Sequence, residues 1–231
     1  MTLNAQELRN AKYFGEFKTS VYILANEFMT FWQMNKIFTD RHILRMAEAE
    51  FVSELLIAML VGIRAKEKRI IDSFYADYDD QFPRRKTMEK RFRSTLDEIG
   101  GIFGDTLSES RFSATRLLYP LFCTVYHLQF GLLEVEYERI SFKASDYPKL
   151  RTALENVDVI FEKLKVAEEE VEAHNLNEEA TAEELLIEEV DPLSPEERRF
   201  YSAYIEHWVH AENRRFRTEY ICSLMVDALR E

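Results

Sequence analysis

Breakers of regular structure are scarce in this chain. It has 6 Gly and 5 Pro in 231 residues. A many-stranded fold needs a turn every ten residues or so, and each turn draws on those residue types. So few of them imply long elements and few tight turns. Hydrophobic residues make up 46% of the chain, enough to cover the inner faces of such elements and to exclude global disorder. Where the apolar residues recur, they do so at helical spacing: Phe17, Val21, Leu24, Phe28 and Phe31 are one example. The reading is an all-α chain, a bundle of seven to nine helices ending in a long C-terminal helix.

Start and stop signals divide the chain. Asn4 to Glu7 has the form of a capping box and opens a short helix that Gly15 ends. Further helices are expected over about 16–33, 42–63, 66–78, 84–103, 113–130 and 146–172. The 42–63 helix is apolar almost all round from Phe51 to Leu60, as befits a central element covered on every side. Ser194, Pro195 and Glu197 form a second capping box, from which a last helix is expected to run unbroken to about Leu229. The expected organisation is a bundle over 1–172, an acidic mobile segment over 173–193, and a C-terminal helix over 194–231 that packs on the bundle.

The stretch Leu117–Leu133 matches the lower limit of a membrane span. Its Pro120, Thr124, His127, Gln129 and Gly131 instead favour a fully buried core helix in which His127 is hydrogen-bonded. No membrane association is expected. Cys123 and Cys222 lie in apolar runs without metal-type spacing and read as buried thiols of a reducing compartment. The N-terminus has no basic segment followed by an apolar run, so a cytoplasmic location is expected.

The net charge of −12 is concentrated. Eleven acids lie between Glu168 and Asp191, where there is no Lys or Arg; without them 31 acids face 30 bases. A generic nucleic-acid binder is disfavoured, because neutralising phosphates takes a basic surface. Two local groups keep an anion or nucleic-acid contact open: Arg84, Arg85, Lys86, Arg91 and Arg93 in one helix, and Arg214 with Arg217 in another. The competing reading of both is a set of ion pairs, with Asp77, Asp79 and Asp80 balancing the first.

Chemistry-bearing patterns are few. Gly100-Gly101-Ile102-Phe103-Gly104 lacks a P-loop's spacing and closing Lys, and reads as a helix end. No histidine has a glutamate three residues before it, as bundle di-iron sites require. His207 and His210 could share a helix face, but two ligands make no metal site. No catalytic residue, metal or cofactor is assigned.

The segments Leu3–Ala11 with Gly15 and Phe17, Arg45–Leu56, Ile71–Tyr75 with Phe82-Pro83, Arg91–Arg93, Leu121–Leu128 and Asn213–Arg217 together resemble the helical half of the GmrSD-type family of bacterial restriction and phage-defence proteins. In that family a ParB/sulfiredoxin-like nuclease or nucleotidase domain precedes the helical half. That domain carries an Asp-Gly-Gln-Gln-Arg motif, and no Gly here follows an Asp. A His-Asn-His nuclease domain, present in some members, has no counterpart beyond the isolated pair His174-Asn175. The resemblance implies a non-catalytic helical module, a fragment or a split-gene product. It would dock that domain through Glu7, Arg9 and Asn10, with Arg9 on an exposed face, and would reach DNA through the same partner. Two other readings stay open: a stand-alone acidic interaction protein, and an enzyme assembled around His207 and His210 with the terminal arginines.

Overall fold

The computed structural model describes residues 2–176 and 193–231. Among them are eleven α-helices and no strand: α1 (Ala5–Lys12), α2 (Glu16–Glu27), α3 (Met29–Met34), α4 (Asp40–Leu44), α5 (Ala47–Val61), α6 (Lys68–Asp77), α7 (Arg85–Phe103), α8 (Thr115–Phe130), α9 (Tyr147–Leu176), α10 (Pro195–Ile205) and α11 (Ala211–Arg230). Most of the expected acidic segment lies outside the described residues; α9 runs past its expected end at about Glu172 to Leu176.

α5 and α8 form the middle of the molecule. Every residue from Phe51 to Met59 and from Leu117 to Leu128 is buried. α8 packs against α5, α7 and α11, and α11 also meets α9 and α10. No helix among the described residues is long and apolar enough to cross a membrane; of the stretch Leu117–Leu133, residues 117–128 and Leu132 are buried in the core, and Leu133 is exposed. His127 is buried and hydrogen-bonded there: its Nε2 lies 2.9 Å from Tyr137 O and its Nδ1 accepts from Leu132 N at 3.2 Å.

Pro120 sits inside α8. Lacking an N–H, it leaves the carbonyl of Arg116, four residues back, without its helical donor. Arg217 of α11 takes the place of that donor: its Nη1 donates to Arg116 O at 2.7 Å. Thr124 Oγ1 donates to Thr218 O at 3.0 Å. The two helices are thus joined by polar contacts inside an otherwise apolar seam.

Three expected helices each divide in two, which brings the total to eleven. The 16–33 helix breaks at Phe28 (φ −95°, ψ 17°), where the buried Trp32 indole N–H turns back to Ala25 O at 3.1 Å. The 42–63 helix breaks at Met46, which is left-handed at φ +57°. The expected single C-terminal helix is α10 and α11, separated at 206–210 with His207 at φ +43°. The carbonyls freed at that break find donors from other parts of the chain. Lys66 N donates to Val209 O at 2.9 Å, Asn213 Nδ2 to Glu206 O at 2.9 Å, and Arg217 Nη2 to Trp208 O.

Candidate functional site

Arg9, Glu54 and Arg214, three of the charged groups that the fold buries, meet along α5. Glu50 and Glu54 lie one turn apart on this central helix, and a buried carboxylate requires a partner. Arg9 of α1 reaches Glu50 Oε1 at 3.1 Å. Lys66, in the connection after α5, bridges both acids, with Nζ 3.2 Å from Glu50 Oε2 and 2.8 Å from Glu54 Oε1. Arg214 of α11 closes the chain on Glu54 Oε2. Its guanidinium lies 4.0 Å from the Tyr119 ring centroid and donates to Arg64 O at 3.1 Å. One ionic network therefore ties the first, central and last helices together.

Burial disfavours charge on Glu54, yet Arg214 and Lys66 outweigh it and hold the carboxyl below the usual carboxylate range. Burial likewise works against charge on Lys66, which Glu54 and Glu50 overcome, so its pKa lies above the ordinary lysine value. Arg217 is different. It is 1% exposed and, among the described residues, donates only to the carbonyls of Asn213, Arg116 and Trp208. Burial first, then the nearby guanidiniums of Arg214 and Arg116, push its pKa down to about 10.

A cavity of about 200 Å³ opens beside this network. Ile37, Phe38, Phe51 and Trp208 make an apolar wall; Glu50, Glu54, Lys66 and Arg214 make a charged one. His42, Ala47 and Thr115 complete the lining.

These positions correct several expectations. Arg9 does not face an exposed docking surface. It is 2% exposed, donates to Asp72 Oδ1 at 2.6 Å and Gln6 Oε1 at 3.1 Å, and pairs with Glu50. Glu7 is half-buried, completes the α1 capping box and pairs with Arg45 at 3.3 Å. Asn10 is half-buried, and its carbonyl accepts from Lys18 Nζ at 2.7 Å. Arg214 and Arg217 do share a face of α11, but it is the inward one, so neither is a surface anion contact. In the α7 cluster Arg85 pairs with Glu89 at 2.9 Å, Arg93 with Glu27 at 2.7 Å, and Arg91 lies 5.0 Å from the Phe130 ring centroid. Arg84 and Lys86 are exposed. The balancing acids are thus Glu27 and Glu89; Asp79 instead accepts from Phe14 N and Gly15 N at 3.2 and 2.7 Å. His207 and His210 stack at 4.8 Å on the surface. Among the described residues no group of three or more His, Cys, Asp or Glu could hold a metal ion.

The sequence reading passed over Glu50, Glu54, Lys66 and Trp208. A signal for two of them was present, since carboxylates in a helix that is apolar all round must find buried partners. No signal paired them with residues as distant as Arg9 and Arg214. Searches against protein-family profiles, characterised proteins and solved structures find no match to this chain.

Proposed function

We propose that the chain is a non-catalytic helical module of a cytoplasmic phage-defence or restriction protein, and that it supports a ParB/sulfiredoxin-like nuclease or nucleotidase domain docked at its N-terminal edge. The observation that carries this reading is a group of exposed leucines there. Leu3, Leu8 and Leu44 are 57%, 46% and 79% exposed. They belong to two segments that Arg45 ties together, through its ion pair with Glu7, its bond to Thr2 O at 3.0 Å, and its own carbonyl, which accepts from Asn4 Nδ2 at 2.8 Å. Solvent-exposed apolar side chains grouped in this way mark interaction surfaces. The edge coincides with the Leu3–Ala11 motif that carries the family resemblance. Arg9 acts in this reading from within: its bonds to Glu50 and Asp72 hold α1 in the orientation that turns Leu8 outward.

The test is a binding titration of the full chain with a separately produced ParB/sulfiredoxin-like domain of this family. Association is expected, and Leu8→Asp with Leu44→Asp should weaken it at least about tenfold, the cost of removing two apolar anchors. The urea midpoint should not change, because both side chains are exposed. Absence of association for the wild-type chain would overturn the reading. Undiminished affinity of the double variant would remove the leucines from it.

A further inference from the structure

The basic cluster of α7 is only partly consumed by ion pairs, and what remains leads into an open groove. Arg85 and Arg93 are spent on Glu89 and Glu27. Lys86 and Lys90 are exposed and one turn apart on one face, and neither has an ion-pair partner among the described residues. Ser94, a further turn along that face, stands in the wall of a groove of about 550 Å³. Gln129 and Phe130 at the end of α8 line it too, with Arg139, Ser141 and Phe142 of the segment that follows. Both phenylalanines are half-buried.

The charge of this groove is one-sided. Arg139 is exposed and, among the described residues, is the one charged residue of the lining. Its Nη2 donates to Gln129 O at 2.8 Å, which anchors the guanidinium and offsets the partial negative charge of the α8 C-terminus. No carboxylate pairs with it among the described residues. Arg91 is outside the lining, but its guanidinium lies 5.0 Å from the centroid of the Phe130 ring, and it too lacks a carboxylate partner there. Lys90 lines a second groove, which shares Ser94 with the first. Asp97 and Glu98 lie in that second groove, where Tyr147 Oη donates to Glu98 Oε2 at 2.7 Å. The uncompensated cations are therefore at the Phe130–Phe142 end. A ligand that answers this arrangement has flat rings to lie on the phenylalanines and a repeated anion to pass the cations. A duplex keeps its base faces within its own stack, and a plain polyanion has no rings.

We infer that this groove binds a single-stranded polynucleotide, with bases against Phe130 and Phe142 and phosphates at Arg139, Lys90 and Lys86. Stacking on aromatic side chains beside a basic track is how such strands are held without regard to sequence. The chain as a whole works against it, since its net charge is −12. Binding therefore falls at the weak end of the usual non-specific range, a Kd of about 100 μM at physiological salt. Three phosphate contacts at a log–log salt slope of about 0.7 each tighten that roughly tenfold when the salt is lowered to about 50 mM. The groove is separate from the leucine edge, and its occupancy does not depend on a docked domain.

Fluorescence anisotropy of labelled oligothymidylate and oligouridylate, each of about 15 nucleotides, titrated with the full chain tests it. At least one strand is expected to bind with a Kd of about 10 μM in 50 mM salt. A DNA duplex and a polyglutamate peptide of the same length should each bind at least about fivefold more weakly. Phe142→Leu keeps most of the apolar volume and loses the flat ring; it should weaken the strand at least about fivefold. Arg139→Gln with Lys90→Gln removes two exposed cations, should leave the urea midpoint unchanged, and should flatten the salt slope by about 1.4. This exposed pair carries the test if Phe142→Leu does not fold. Three results overturn the inference: no binding of either strand up to about 100 μM chain in 50 mM salt, duplex or polyglutamate binding as tight as the single strands, or an affinity and salt slope that the double variant leaves intact.

Discussion

Glu54→Gln is the substitution that most directly tests the ionic network. It keeps the shape of the side chain and removes one charge from a residue only 4% exposed. Arg214 then keeps its bond to Arg64 O and the Tyr119 ring but loses its only carboxylate among the described residues. Lys66 keeps Glu50 at 3.2 Å. Each cation–carboxylate contact is an attraction of about 4 kcal/mol at 4 Å and an effective dielectric constant near 20, part of it offset by desolvation. Leaving one buried partner uncompensated costs about 3–5 kcal/mol in comparable cases. That is a large share of a total stability of about 5–15 kcal/mol. For a chain of this length it corresponds to a Tm lower by about 6–20 °C. Urea unfolding followed by circular dichroism and by the fluorescence of Trp32 and Trp208 measures the loss, and coincident transitions license two-state treatment. Replacing both partners, Glu54→Leu with Arg214→Met, should recover part of the loss, so the two sites will not add. The pH dependence has a definite sign. Glu54 titrates below the ordinary carboxylate value of 4.5 in the folded state, so its contribution is complete above that pH and disappears as the pH falls through the depressed folded value. The gap between wild type and Glu54→Gln should hold constant at neutral pH and close in acid. A loss under about 1 kcal/mol, the size of an exposed ion pair, or strict additivity in the double variant, would refute the reasoning.

Two other substitutions probe single features. A Cβ on Gly15 would come within 1.7 Å of Asp79 O, so Gly15→Ala must displace the backbone that also accepts from Glu16 N at 2.9 Å; a loss of about 3 kcal/mol in urea unfolding is expected, the size of a severe overpacking change. Glu48 is 6% exposed with Oε2 unpartnered among the described residues, and burial raises its pKa above 4.5. A raised carboxyl pKa lowers stability as pH rises through it, so Glu48→Gln should raise the Tm at pH 7 by about 2 °C and leave it unchanged in acid below the ordinary value.

Much of the fold follows from local rules, and those parts were legible. The capping boxes at Asn4 and Ser194 form as their residue types require, because N-cap chemistry involves only neighbours three residues apart. The runs 51–59 and 117–128 lie in the core because they have no polar face to present to water. Cys123 and His127 are buried for the same reason, and Cys222 is buried with Ile221, Met225 and Val226 of α11. The breaks at Phe28, Met46 and His207 left no trace, since none carries Gly or Pro. Each is sustained by tertiary contacts, as when Lys66 N and Arg217 supply donors to the 206–210 carbonyls. The direction in which arginines point was equally hidden. Periodicity places Arg214 and Arg217 on one face but cannot say whether that face meets water. The answer rests on Glu54, 160 residues from Arg214, and on the carbonyl that Pro120 leaves open for Arg217. Arg9 is drawn inward by Glu50 and Asp72, 41 and 63 residues away. Local sequence determines where helices can form. Which polar side chains are buried is decided only when distant charges come within a few ångströms in a medium that water no longer screens.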